Sequence, residues 1–155
     1  MVTTNNRIEV LHGVNLDMLG KRAPEHYGTL TLIELEVRIR HWSRELGLEA
    51  TFFRTNAEDE YVERLHQAPE LADGLILNPG AWTHYSYAIR DALEIAGMPA
   101  VEVHLSDVES REEWRRHSVI ADVVSARVHG KGADGYHDAL ELLARELGVE
   151  APPAA

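Results

Sequence analysis

The side chains best suited to chemistry fall in four short segments. His12 to Gly28 carries Asn15, Arg22 and Tyr27, and Asn78 to His84 begins and ends on two polar residues. His104-Leu105-Ser106 follows, and Ser110 to Arg116 adds Arg111 and Arg115. Guanidinium, amide and hydroxyl donors suit a polyhydroxylated anion, while a phenol and imidazoles can move protons on it. Singly, each residue has a plainer reading. Asn15, Asn78 and Ser106 fit helix caps or turn closures. A lone loop histidine is more often solvated than catalytic, and Arg115 and Arg116 fit weak surface pairs with Glu112 and Glu113. Only convergence on one edge of the fold lifts them above those readings, so the elements that position them decide.

Those elements alternate between strand and helix periods. Ile8 to Leu11 is a short β run. Leu32, Leu35, Ile39, Trp42 and Leu46 make one helical stripe, opened by a Thr31/Glu34 capping box and closed by Gly47. Ala50 to Phe53 is the second strand, and Asn56 is expected to cap a helix whose first turn (Glu58, Asp59, Glu60) is acidic. Gly74 to Leu77 reads as a buried strand. Tyr85, Ala88, Ile89, Ala92 and Ala96 mark the next helix, ended by Gly97. Ala100 to Val103 and a weaker Ala126 to His129 complete five strands. Tyr136, Ala139, Leu140, Leu143 and Leu147 give the last helix, ended by Gly148.

Five βα units with short connections predict a parallel sheet of order 2-1-3-4-5 with helices on both faces, a flavodoxin-like α/β fold. Ligands in such sheets sit beyond the carboxyl ends of the strands, at the switch between strands 1 and 3. The four segments above follow strands 1, 3 and 4. The first is the longest loop, and a loop of that length is usually functional or disordered. Its Leu16, Met18 and Leu19 imply that part of it packs down.

With 155 residues the chain is expected to be one domain, 1–155, with an ordered core over about 7–148, a flexible N-terminus and a fraying Ala/Pro tail. Net charge −11 argues against nucleic acid and against an anionic membrane surface. No apolar run approaches a bilayer span, and Met1 to Asn6 lacks a signal-peptide core, so a cytoplasmic globule is expected. Zero cysteines remove disulfides and thiolate metal sites. Nine histidines make no H-x-x-x-H or H-E-x-x-H, so no metal is expected. The only lysines, Lys21 and Lys131, lie on glycine-flanked loops, which disfavours Schiff-base chemistry. Gly130, Gly132 and Gly135 form G-x-G-x-x-G, yet the chain ends before the further strand a dinucleotide site requires.

Together Asn15-Leu16, Arg22 to Gly28, Asn78 to His84, Glu102 to Ser106 and Arg111 to Ser118 resemble the signature segments of type II 3-dehydroquinate dehydratases, in order and spacing from about Ile8 to Leu147. The resemblance implies anti elimination of water from 3-dehydroquinate to 3-dehydroshikimate, with no cofactor. The resemblance implies a place in the shikimate pathway of aromatic amino acid biosynthesis or in quinate catabolism, since both use this step. It implies Tyr27 as base, Arg22 and Arg111 as its stabilisers, and His104 as acid positioned by Asn78. It implies that Asn15 holds a water on the enolate, that His84 and Arg115 bind ring hydroxyls, and that Ser106 and the Leu105 amide bind the carboxylate. Asp91 would reach a neighbouring subunit's site in a dodecamer of trimers. Val14, Asp107, Lys131 and Asp134 depart from the usual pattern, and Asp107 would put a negative charge near the carboxylate site.

Physical chemistry fits these roles. A phenol ionises near pH 10, so using one as a base near pH 7 requires about 4 kcal/mol of stabilisation. One cation about 4 Å away at an effective dielectric near 20 supplies roughly that. A guanidinium does so without competing for the proton. A second reading stays open on the sequence alone: a non-catalytic flavodoxin-like module that binds a nucleotide or small anion.

Overall fold

Apolar runs too short for helices and separated by amphipathic stripes leave one economical packing, a sheet between two helical layers. The computed structural model, which describes residues 5–153, has that architecture. The expected flexibility of Met1 to Thr4 and of Ala154 and Ala155 lies outside the described residues. Strands β1 (Arg7–His12), β2 (Glu49–Arg54), β3 (Gly74–Asn78), β4 (Ala100–His104) and β5 (Ala126–His129) form a parallel sheet of order β2-β1-β3-β4-β5. The helices are α1 (Pro24–Tyr27), α2 (Leu32–Glu45), α3 (Glu58–Leu71), α4 (Tyr87–Ala96) and α5 (Asp134–Leu147). The fold class and strand order are those the periodicities predict.

Two cores divide the faces. Ile8, Val10, Ile76, Val101 and Val103 pack under α2 and α5 with Leu35, Ile39, Leu140 and Leu143. Leu11, Leu75, Leu77 and Ala100 pack under α3 and α4 with Tyr61, Leu65 and Ile89. β3 and β4 are buried at every position, as strands covered on both sides must be. Burying one such Leu or Ile contributes roughly 1.5–3 kcal/mol.

Most helix ends match their sequence signals. The Thr31 hydroxyl accepts from Glu34 N at 3.2 Å, and Gly97 and Gly148 take the left-handed conformation after α4 and α5. Two expectations fail locally. Asn56 does not cap α3: its Oδ1 accepts from Asn15 N at 2.8 Å and its Nδ2 donates to Asp17. The Thr55 hydroxyl takes up the slack, accepting from Ala57 N and donating to Glu60 Oε2 at 2.6 Å. Tyr85 precedes α4 and is exposed, because the Ser86 hydroxyl accepts from Ile89 N and starts the helix there.

Candidate active site

The chain switches sides between β1, whose following helix α2 lies on one face, and β3, whose α4 lies on the other. That divergence opens a crevice at the carboxyl ends. Its floor is two loops in backbone contact. Gly13 N donates to Asn78 O at 2.8 Å, and a Cβ at Gly80, where φ is +66°, would stand 2.5 Å from Val14 O. Only glycine permits that approach.

Asn15, Arg22, Tyr27, Asn78, His84, His104, Leu105, Ser106, Arg111 and Arg115 all line one cavity here, of about 150 Å³. That volume suits a single six-membered ring. Among the described residues its lining holds three guanidiniums and no carboxylate, the charge balance of an anion site. Ten of the eleven residues singled out from the sequence thus converge. Asp91 does not: it is exposed on α4 and is not among the residues that line this cavity.

Tyr27 reaches the cavity because Pro24 starts the one-turn helix α1 inside the loop after β1. Arg111 Nη1 donates to the Tyr27 hydroxyl at 2.6 Å and to Ser106 Oγ at 3.3 Å. Arg22 stacks on the same ring, its guanidinium carbon 3.9 Å from the centroid. Arg111 Nε is buried without a partner among the described residues, a donor left for a ligand.

Across the cavity, His104 Nε2 lies 2.5 Å from Glu102 Oε2. Strand alternation puts residues 102 and 104 on one face. Glu102 is fully buried and accepts from the Thr83 hydroxyl at 2.5 Å and the Ser118 hydroxyl at 2.7 Å. Burial opposes its ionisation, but the His104 ring, the Thr83 hydroxyl and the Arg127 guanidinium together hold its carboxyl at about 2. An ionised carboxylate accepts, so the His104 nitrogen facing it carries a proton. The second ring nitrogen is the one free to exchange a proton with a ligand.

Asn78, implied to position His104, is bonded elsewhere. Its Oδ1 accepts from Gly80 N and its Nδ2 donates to Tyr136 Oη at 3.4 Å. His84 Nδ1 lies 2.7 Å from His117 O, and its ring stacks 6.4 Å from that of His104. Burial lowers the His84 pKa, the His117 carbonyl partly opposes this, and neighbouring cations reinforce it. Asn15 is left-handed at φ +69°, and Asn56 holds its amide.

Two features that could have altered the pocket turn away from it. Asp107 is exposed, caps the turn at Val108 and faces His129 Nδ1 at 3.2 Å, so its charge lies outside the cavity lining. Gly130 N donates to Ser106 O and Gly132 N to Leu105 O. The glycine-rich turn thus spends its amides bracing the His-Leu-Ser turn rather than presenting them to a phosphate.

The family model for dehydroquinase class II matches residues 6–144. The chain belongs to this family of hydro-lyases. It is 53% identical over 142 residues to a 3-dehydroquinate dehydratase of Pelobacter propionicus, covering 91% of this chain and 95% of the relative. A Syntrophotalea carbinolica protein of the same name is 50% identical over 145 residues, covering 93% and 98%. The crystal structure of type II dehydroquinase from Propionibacterium acnes superposes with a TM-score of 0.86 at 41% identity, covering 90% of this chain and 97% of that one. Among the described residues no helix is long and apolar enough to cross a membrane.

Within this class II enzyme, Glu102, Thr83, Ser118 and Asn56 are parts of the site that sequence reasoning missed. Glu102 left a signal: a carboxylate inside the apolar run Ala100-Val101-Glu102-Val103, two positions before a candidate acid, must be buried and needs partners. Thr83, Ser118 and Asn56 left none, because their partners are distant in the chain.

Proposed function

We propose that this cavity dehydrates 3-dehydroquinate to 3-dehydroshikimate by anti elimination. The Tyr27 phenolate takes the C2 proton, and the electron pair moves into the C3 carbonyl as an enolate. The enolate then re-forms the carbonyl, makes the C1–C2 double bond and expels the C1 hydroxyl, which leaves as water with a proton from His104. The observation that carries this reading is the 2.6 Å hydrogen bond from Arg111 to the Tyr27 hydroxyl, in the same cavity as an imidazole backed by an ionised carboxylate. Arg111 and Arg22 favour the phenolate by charge. Neutral donors such as Asn15 suit an enolate that exists only in passing. Every proton in this scheme rides on a side chain of the chain itself, so it calls on no cofactor.

Ser106, which accepts from Arg111 Nη1, and Leu105 line the cavity together with Arg111, whose Nε is unpartnered, and this set suits the substrate carboxylate. His84 and Arg115, which also line the cavity, bind the ring hydroxyls. Asp91 serves a neighbouring subunit within trimers that assemble into a dodecamer. Tyr87 and Ile95 are exposed on the same α4 stripe as Asp91, which supports a contact there. A light-scattering mass of twelve chains is expected, and a monomer would refute the assembly.

Purified protein given 3-dehydroquinate develops the ultraviolet absorption of a conjugated enone, and borohydride added with substrate leaves activity intact. No absorption change would refute the reaction. Inactivation by borohydride would mean an imine instead.

A further inference from the structure

β5 brings one more cation to the reaction centre. Arg127 is the register partner of Glu102, so alternation turns its side chain to the face that carries Glu102 and His104. Its Nε stands 3.5 Å from Glu102 Oε2, and its Nη1 stands 3.8 Å from Glu109 in the turn after β4. The side chain is only 17% exposed. Its Nε and Nη2 are buried without a hydrogen-bond partner among the described residues. A guanidinium held from water with donors unused is costly unless a nearby charge compensates it. The nearest such charge is the carboxylate behind His104.

We propose that Arg127 is a positioning residue for the proton donor, offsetting the charge of Glu102 so that this carboxylate orients the His104 ring without overholding its proton. The inference rests on the reading of His104 as the acid. In general, a buried carboxylate that accepts from an imidazole both orients the ring and strengthens its grip on its proton. An acid that must release a proton to a departing hydroxyl works better with that grip loosened. Arg127 does not line the cavity and so acts through Glu102 rather than on the substrate. The other titratable groups near it are Glu109 after β4, His84 and His104 at the ends of the preceding loop and strand, and His129 two positions along β5, the register partner of His104, which faces Asp107. Arg115 lies beyond His84.

The test is the pH profile of kcat and of KM for Arg127→Gln, Arg127→Lys and Glu109→Gln, with 3-dehydroquinate as substrate. Arg127→Gln should lower kcat roughly 3- to 10-fold with KM little changed. Its alkaline limb should move up by roughly half to one pH unit. Arg127→Lys should restore the limb. Glu109→Gln, a surface change that frees Arg127 from its outer partner, should move the limb the opposite way and keeps the test open if Arg127→Gln does not fold. Arg127→Gln should add nothing in a Glu102→Gln background. A limb that stays put in both Arg127→Gln and Glu109→Gln, or an undiminished effect in that background, overturns the inference. His104→Gln separates the two ideas. If it keeps the wild-type limb, the reading of His104 fails. If it loses the limb while Arg127→Gln leaves it unmoved, only the role of Arg127 fails.

Discussion

Arg111 Nη1 donates to the Tyr27 hydroxyl across 84 positions of sequence, and the same nitrogen reaches Ser106 Oγ. One guanidinium thus ties the loop after β1 to the turn after β4 and loads the phenol oxygen with a charged donor. A donor already placed in the ground state gains strength as the oxygen becomes anionic, with no rearrangement at the moment of reaction.

Arg111→Ala should therefore lower kcat by roughly 10²-fold or more, the usual scale for losing one preorganised charged donor. Arg111→Lys should recover little, because Nη1 makes both bonds while Nε stays unused for a ligand, and a single ammonium supplies no second nitrogen in that place. Steady-state enone formation checks both, and full recovery by lysine would contradict the geometry.

Glu102→Gln tests the carboxylate bonded to the proposed acid, His104. It keeps the shape but removes the charge that orients the His104 ring, so kcat should fall roughly 10- to 100-fold with KM within about threefold. A KM effect alone, read from the same progress curves, would place Glu102 in substrate binding instead.

Asn56→Ala should loosen the loop after β1. The side chain holds Asn15 N at 2.8 Å and Asp17 together, and losing it costs about 1 kcal/mol. The expectation is a KM several-fold higher with a thermal midpoint only slightly lower. An unchanged KM would mean that Asn15 is held by other contacts.

Acid should destabilise the fold in two stages. His12 is fully buried, has no hydrogen-bond partner among the described residues, and stacks on Phe52. Burial, and then the Arg54 charge, push its pKa from 6.5 down to about 4. The unfolded chain thus takes up this proton first, so stability is fully present above about pH 6.5 and falls as pH drops toward 4. The loss is on the order of 3 kcal/mol. Glu102, held at about 2 against 4.5, adds a second loss from about pH 4.5 downward. Urea titrations from pH 7.5 to 4 should give a shallower slope for His12→Asn than for wild type, and parallel slopes would contradict the assignment.

The fold was legible because its signals are local and periodic. Leu35 and Ile39 are one turn apart and both fully buried, and Gly97 and Gly148 end their helices where glycine alone is comfortable. The cavity was legible as a set because strand ends determine which loops meet. Its internal wiring was not. Asn56 looked like a helix cap because capping is a rule of near neighbours, whereas its partner Asn15 is 41 positions away. The resemblance implies that Asn78 positions His104, whereas its side-chain bonds go to Gly80 N and Tyr136, and the carboxylate bonded to the imidazole is that of Glu102. Arg127 gave no sign at all, since only the β4–β5 register sets it beside a carboxylate.

Everything turns on whether one phenol oxygen is the base. The most direct measurement is Tyr27→Phe, assayed for enone formation and, in parallel, for 3-dehydroquinate binding by calorimetry. The expected result is a turnover loss of roughly 10³-fold or more with affinity within about tenfold of wild type. Tyr27→Phe turning over near the wild-type rate would contradict the account, whatever the other residues do.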